Sequence, residues 1–274
     1  MKHPGIPTLL LALLLLAAPA WAQNGPSAPP QTPPASAGPA DPKLIEDLVA
    51  ANRILAQQGV LDGWGHISVR HDKDPNRFLL SRALAPELVT ADDIMEYDLD
   101  SNPVDQRGRN MYSERFIHGQ IYKARPDVMA VVHTHAPPLI PFGVVNVPLK
   151  PVYHRAAFLA GGVPIFDIHD QFGMTDMLIR NNDEGAALAN TLGKHDAALM
   201  RGHGAVVVGP SLPMVVSRSI FICLDANAQA EALQLAHGGT IKYLDPEEAR
   251  LINAREGYGL QRAWEAWKKK AMNQ

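Results

Sequence analysis

The 274-residue chain contains one cysteine, Cys223, so no disulfide can close within it. The same scarcity argues against a structural zinc site, which usually takes four protein ligands and favours thiolates. Cys223 falls in an alanine-rich helical pattern and reads as a small buried apolar residue. Basic tracts are also missing: Lys and Arg number 25 against 28 Asp and Glu, which argues against DNA or RNA as a partner. The apolar stretch Leu9 to Ala18 is ten residues long, where a membrane-spanning helix needs about 20. The glycines around Trp64 form no nucleotide fingerprint, because no phosphate-facing helix follows them.

What stands at the start of the chain has another meaning. Met1-Lys2-His3, the apolar stretch and then Ala20-Trp21-Ala22 have the charged, apolar and small-x-small parts of a secretory leader. Residues 1–22 therefore read as a signal peptide cut after Ala22, which sends the chain to the periplasm or outside the cell with no membrane attachment. The competing reading is an uncleaved anchor. Residues 23–41 hold Pro29, Pro30, Pro33, Pro34 and Pro39 among Ala, Ser and Gly, a composition that cannot build a core and reads as a disordered tether. Residues 42–274 show no second linker and no repeat, and form one domain.

Within that domain the run Ala130-Val131-Val132-His133-Thr134-His135 places two histidines on one side of a strand, about 7 Å apart along the backbone. Such a pair can hold one metal ion. Upstream, Asn110 to Lys123 reads as a helix capped by Asn110 and ended by Pro126, with Glu114 and His118 sharing a face. Downstream, Arg201-Gly202-His203-Gly204 sets a third histidine at a bend between two apolar runs. Three imidazoles with a carboxylate or water suit zinc, and also iron or manganese. A coarse reading adds a helix over 42–58, strands near 67–70, 78–81 and 94–97, and a helix over 174–192. Strands at 197–200 and 205–208 follow, then helices over 212–236, 246–255 and 261–270. Alternating strands and helices argue for an α/β class.

Taken in order, Ser113-Glu114, Ile121 to Asp127, Ala130 to Ala136 and Arg201 to Gly204 resemble the class II aldolase/adducin family over most of Pro42 to Lys270. The resemblance implies a three-layer fold, a central mostly antiparallel sheet between helical layers, assembled as a homotetramer with the active site near a subunit interface. It implies one divalent metal ion, zinc first with manganese or iron as alternatives, held by His133, His135 and His203, and Glu114 as the acid/base. The activity implied is that of a metal-dependent carbon–carbon lyase acting on a small hydroxy-carbonyl or hydroxy-carboxylate compound by aldol cleavage or decarboxylation. Alternatives are a non-haem iron oxygenase on the same fold and a non-catalytic adducin-like interaction module.

The sequence departs from the sugar-phosphate aldolases of that family. Their Gly-Asn-x-Ser turn becomes Gly65-His66-Ile67-Ser68, and Tyr112 replaces a small hydroxyl residue, which argues against a phosphate cradle. These variants lie closer to a subgroup containing hydroxyaromatic dicarboxylate decarboxylases. In that reading His66, Ser68, Arg82 and His154 line the substrate pocket, Arg82 by forked hydrogen bonding to a carboxylate. His118 supports them from behind.

Overall fold

A computed structural model describes residue 1 and residues 32–273. The leader and its cleavage position lie outside the described residues, as does the tether up to residue 31. From Ala35 the chain is held against the body of the domain without regular secondary structure. Ser36 Oγ and the Ala37 N–H donate to the Glu96 carboxylate at 2.6 and 2.7 Å, and the Ala35 and Gly38 carbonyls accept from Arg77 and His71. No helix among the described residues is long and apolar enough to cross a membrane.

Helix α1 (Pro42–Gln57) starts with Asp41, whose carboxylate accepts the Lys43 N–H, and with a proline where no backbone donor is needed. The strands β1 (His66–Arg70), β2 (Arg77–Ser81) and β3 (Ile94–Asp98) follow, then α2 (Arg115–Ala124) and β4 (Ala130–Thr134). Short 3-10 turns lead to β5 (Ile165–Phe166) and α3 (Ile168–Phe172). Next come α4 (Asn182–Leu192), β6 (Ala197–Met200), β7 (Gly204–Gly209), α5 (Leu212–Leu235), α6 (Pro246–Asn253) and α7 (Leu260–Met272). The seven strands form one sheet in the order β3-β2-β1-β4-β7-β6-β5, antiparallel except for the pair of β5 with β6.

Strand alternation divides the apolar residues between two cores. Ile67, Val69, Ala130, Val132, Ala205 and Val207 face α1, α5 and α7, with Leu48, Val215 and Trp264. Val131, Ala198, Val206 and Val208 face α2 and α4, with Ile117, Ile121, Leu188 and Leu192. Each sheet face is thus covered, as the expected three layers require. Cys223 lies in the first core. Lys268 joins α7 to α1 through Glu46 and Asp47.

Strand β1 is buried along its whole length although its sequence is His-Ile-Ser-Val-Arg. Its polar alternate residues meet polar groups of α2 and of the chain just after it. His66 and Ser68 bond to His118, and Arg70 donates to the carbonyls of Tyr122, Arg125 and Val128. Burial without such partners would cost roughly 1–3 kcal/mol per group.

Two expected helices differ. Helix α2 starts at Arg115, and Glu114 itself occupies the N-cap position, so Asn110 caps nothing. The helix expected over 174–192 starts only at Asn182. The side chain of Asn181 accepts the Glu184 N–H there, ending an irregular segment in which Met177 has a positive φ of 67°.

Candidate metal centre and active site

His133 lies near the end of β4, on the face turned toward α2, and His135 follows just beyond the strand. His203 stands in the turn between β6 and β7, where Gly202 takes a φ of 63° that other residues resist. Gly204 brings the two strand ends together, because a side-chain carbon there would overlap the Thr134 carbonyl. The consequence is a tight cluster. His133 Nε2 and His135 Nε2 are 3.0 Å apart, and His135 Nε2 and His203 Nε2 are 3.2 Å apart. Glu114 Oε2 lies 3.4 Å from His133 Nε2 and 3.5 Å from His203 Nε2. All four ligand atoms fall within 4.8 Å of one another.

The other nitrogen of each ring decides what this cluster can do. His133 Nδ1 is 3.2 Å from the Ala205 carbonyl and His203 Nδ1 is 2.9 Å from the Met177 carbonyl. His135 Nδ1 is 3.1 Å from both oxygens of the Asp62 carboxylate. Each of those oxygens can only accept, so each Nδ1 carries a proton, and in its neutral form each ring turns a lone pair on Nε2 toward the others. Three converging lone pairs and a carboxylate repel one another until a cation stands among them. The residues therefore fit a divalent metal ion, with the ring tautomers already set.

Electrostatics follow from the same geometry. Burial raises the Glu114 carboxyl, but the imidazoles of His133 and His203 pull it further down, well below the carboxylate range. The α2 N-terminus favours the same anion. Glu114 Oε1 is fixed by the Ile179 N–H at 3.0 Å. Burial lowers His203, yet Glu114 more than reverses this and holds it above its ordinary value. His135 is lowered, chiefly by burial. Burial raises Asp62, and the N–H groups of Gly65 and Trp64 with His135 outweigh it, leaving the carboxyl low.

The remaining expected site residues divide. His66 lies beside the cluster: it pairs with His133 across β1 and β4, their ring centroids are 5.2 Å apart, and its ring also packs on Tyr112 at 4.4 Å. His118 supports it from α2, with His118 Nε2 2.6 Å from His66 Nδ1. Ser68, expected in the pocket, is fully buried behind them and bonds to His118 and Tyr122. Two residues on from His66, it shares the α2 face but lies deeper under the helix. Arg82 is committed to Asp93 at 2.6 Å rather than joined to the cluster. His154 is exposed and lines a separate cavity with Arg155, Leu251, Arg255 and Tyr258, so it does not reach the cluster within its own chain.

Sequence reasoning passed over Asp62 and Tyr122. The first had a signal in Asp62-Gly63-Trp64-Gly65, a turn directly ahead of His66, in which the carboxylate accepts the Trp64 and Gly65 N–H groups at 2.9 and 2.7 Å. The Met177 carbonyl had none, since its segment read as helix.

Comparison with known proteins identifies the family. Residues 46–230 match the family model described as the class II aldolase and adducin N-terminal domain. The chain is 34% identical over 245 residues to "Decarboxylase tropJ" of Talaromyces stipitatus, covering 81% of this chain and 92% of that one. It is 29% identical to the "3,4-dihydroxyphthalate decarboxylase" of Arthrobacter keyseri, over 80% and 90% of the two chains. Among solved structures, an aldolase II superfamily protein from Pseudomonas syringae superposes with a TM-score of 0.71 at 22% identity, covering 86% of this chain and 94% of that one. By sequence and by fold, the chain belongs to the class II aldolase and adducin family.

Proposed function

We propose that this protein is a metal-dependent decarboxylase of a small hydroxylated aromatic acid. Family membership and the relatives named as decarboxylases support the broader statement, an enzyme of the lyase class. The finer reading rests on one observation above all: three Nε2 lone pairs and the Glu114 carboxylate converge, with every Nδ1 proton engaged elsewhere. His133, His135 and His203 would hold the ion, and zinc is the metal we propose. When bound, the cation supplies Lewis-acid stabilisation of the negative charge that builds as the carbon–carbon bond breaks.

The chain's own groups handle the proton. Glu114, ionised and fixed at Oε1, takes the proton of the substrate's ring hydroxyl on Oε2. Loss of carbon dioxide leaves the bonding electron pair on the ring carbon, and Glu114 returns its proton there. Burial of Glu114 and His133 keeps water from competing for that step. Decarboxylation is favoured over cleavage of a sugar phosphate because the hydroxyls of Ser68 and Ser81 are buried and bonded to other side chains, leaving neither to cradle a phosphate.

The test is metal-content analysis of wild-type protein and His133→Ala, with turnover of hydroxylated aromatic acids set against unphosphorylated aldols. Metal in the wild type alone, with release of carbon dioxide from an acid, supports the reading. Turnover of aldols with inert acids would replace it by aldol cleavage, and strict dependence on ferrous iron and oxygen by oxygenase chemistry. We also propose a homotetramer in which His154 enters the site of a neighbouring copy. Mixing inactive His133→Ala and His154→Ala subunits should then restore activity at about a quarter of the sites, the share pairing two intact contributions. No recovery would remove His154 from the site.

A further inference from the structure

The polar groups behind His66 form an unbroken series running from the second core to the metal cluster. Tyr122 Oη lies 2.8 Å from Ser68 Oγ, Ser68 Oγ 2.6 Å from His118 Nδ1, and His118 Nε2 2.6 Å from His66 Nδ1. All four residues are at most 1% exposed. Nothing in the mechanism above uses Tyr122, Ser68 or His118, yet buried polar groups in such a series can bond in only a few ways.

The protons can be followed link by link. Tyr122 Oη has Ser68 Oγ as its side-chain partner, and no other acceptor for its proton lies within hydrogen-bond distance among the described residues. A buried phenol directs its proton to the one acceptor within reach, so Tyr122 donates to Ser68. Ser68 has one proton, and His118 Nδ1 is the partner left to receive it. His118, buried and pulled down to about 3 by desolvation, is neutral, so its single proton sits on Nε2. That proton goes to His66 Nδ1. The reverse order would strand the tyrosine proton in an apolar core.

His66 then has only one arrangement open to it. Its Nδ1 accepts, its proton is on Nε2, and no group among the described residues accepts from that atom. Beside it stands His133, across the strand pair.

Building on the decarboxylase reading, we propose that the Tyr122–Ser68–His118 series locks His66 as a neutral Nε2–H donor that reads an anionic oxygen of the substrate, a carboxylate rather than a hydroxyl group. A ring free to choose its tautomer would accept from a hydroxyl as readily as it donates to a carboxylate. This one is committed. It acts as a specificity-determining residue, and Ser68, His118 and Tyr122 are positioning residues that act through it.

The test has two arms on the full-length chain. Nitrogen NMR of 15N-histidine-labelled protein, metal-free and zinc-loaded, assigns the ring proton of His66, its signals being those lost in His66→Phe. The expected pattern is a bare Nδ1 and a protonated Nε2 in wild type, and a mixture of both tautomers in Ser68→Ala. A proton on His66 Nδ1 in wild type, or an unmixed pattern in Ser68→Ala, overturns the proposal. The second arm compares binding of 2,3-dihydroxybenzoate and catechol, which share the two hydroxyls and differ by the carboxylate. His66→Phe should lose the preference for the acid by about 10- to 100-fold, the range for a hydrogen bond to a charged group. Ser68→Ala should lose part of it, and an unchanged preference in both variants would sink the idea. The tautomer is measured without turnover, so an enzyme that proves to be an aldolase leaves this arm standing or falling by itself.

Discussion

Gly204 is where the architecture and the metal site can be separated by experiment. It pairs with Met200 at the start of β7, and its neighbour Ala205 pairs with Thr134 of β4. A methyl group built on Gly204 would overlap the Thr134 carbonyl oxygen and lie 3.0 Å from Thr134 C and 3.1 Å from His135 Cα. Non-bonded carbons rest at about 3.5–4.0 Å and the Thr134 carbonyl oxygen stands closer still, so β4 and β7 must part by roughly one ångström or more in Gly204→Ala. Metal ligands tolerate only about ±0.2 Å. The displaced backbone carries His135, whose Nε2 lies 3.2 Å from that of His203. Overpacking should cost about 1–3 kcal/mol of stability, and zinc affinity should fall about 10- to 100-fold, as when the support of a ligand is disturbed. Gly209→Ala is the control. At the other end of β7 its methyl group would meet Val215 N at 2.9 Å and Val215 Cα at 3.1 Å, a milder backbone clash beside no ligand. Thermal melts and zinc titration against a chromophoric chelator should show both variants destabilised and only Gly204→Ala weakened in zinc binding. Equal zinc affinity in Gly204→Ala and wild type would refute the argument that this glycine sets the ligand geometry.

Other perturbations test single links. Glu114→Gln should keep its metal and lose turnover by about 10²- to 10⁴-fold; unchanged rates remove the proton-transfer role. Asp62→Ala leaves His135 Nδ1 without its acceptor and should weaken zinc binding about 10- to 100-fold, read by the same titration. Asp225, buried on α5, accepts the N–H groups of Val152 and Tyr153, and burial pushes its carboxyl up to about 6. The folded protein therefore binds more protons here than the unfolded chain between about pH 4 and 6, and stability falls as pH rises through that window. The stability of Asp225→Asn relative to wild type should thus increase from pH 4 to 7, by no more than about 3 kcal/mol; a pH-independent difference between the two melts would contradict this sign.

The metal cluster was legible because its determinants are local. A β-branched run fixes the faces of His133 and His135, and two glycines mark the bend at His203. The helix before β4 was legible in kind but not at its start, since Glu114 turns out to end the loop instead of riding on the helix. Ser68 and His66 occupy alternate positions of one strand and look equivalent in the sequence, yet the path of α2 across the sheet buries one beneath the other. For Arg82 the sequence did not reveal its partner: Asp93 stands just before β3, and the two form a local ion pair. Tyr122 resembled an ordinary core aromatic. Only its packing against Ser68 gives the hydroxyl a destination.

The outer border of β3 has a further consequence. Pro103 forms a bridge with Tyr97 there, and the Val104 N–H donates to the Glu96 carbonyl at 2.9 Å. That flank is already satisfied by the molecule's own backbone, and a proline closes part of it with no donor to offer. At the opposite border β5 is two residues long, too short a template for an incoming β-segment. Neither margin invites runaway stacking, a safeguard suited to a protein of such high β-branched content in its middle strands.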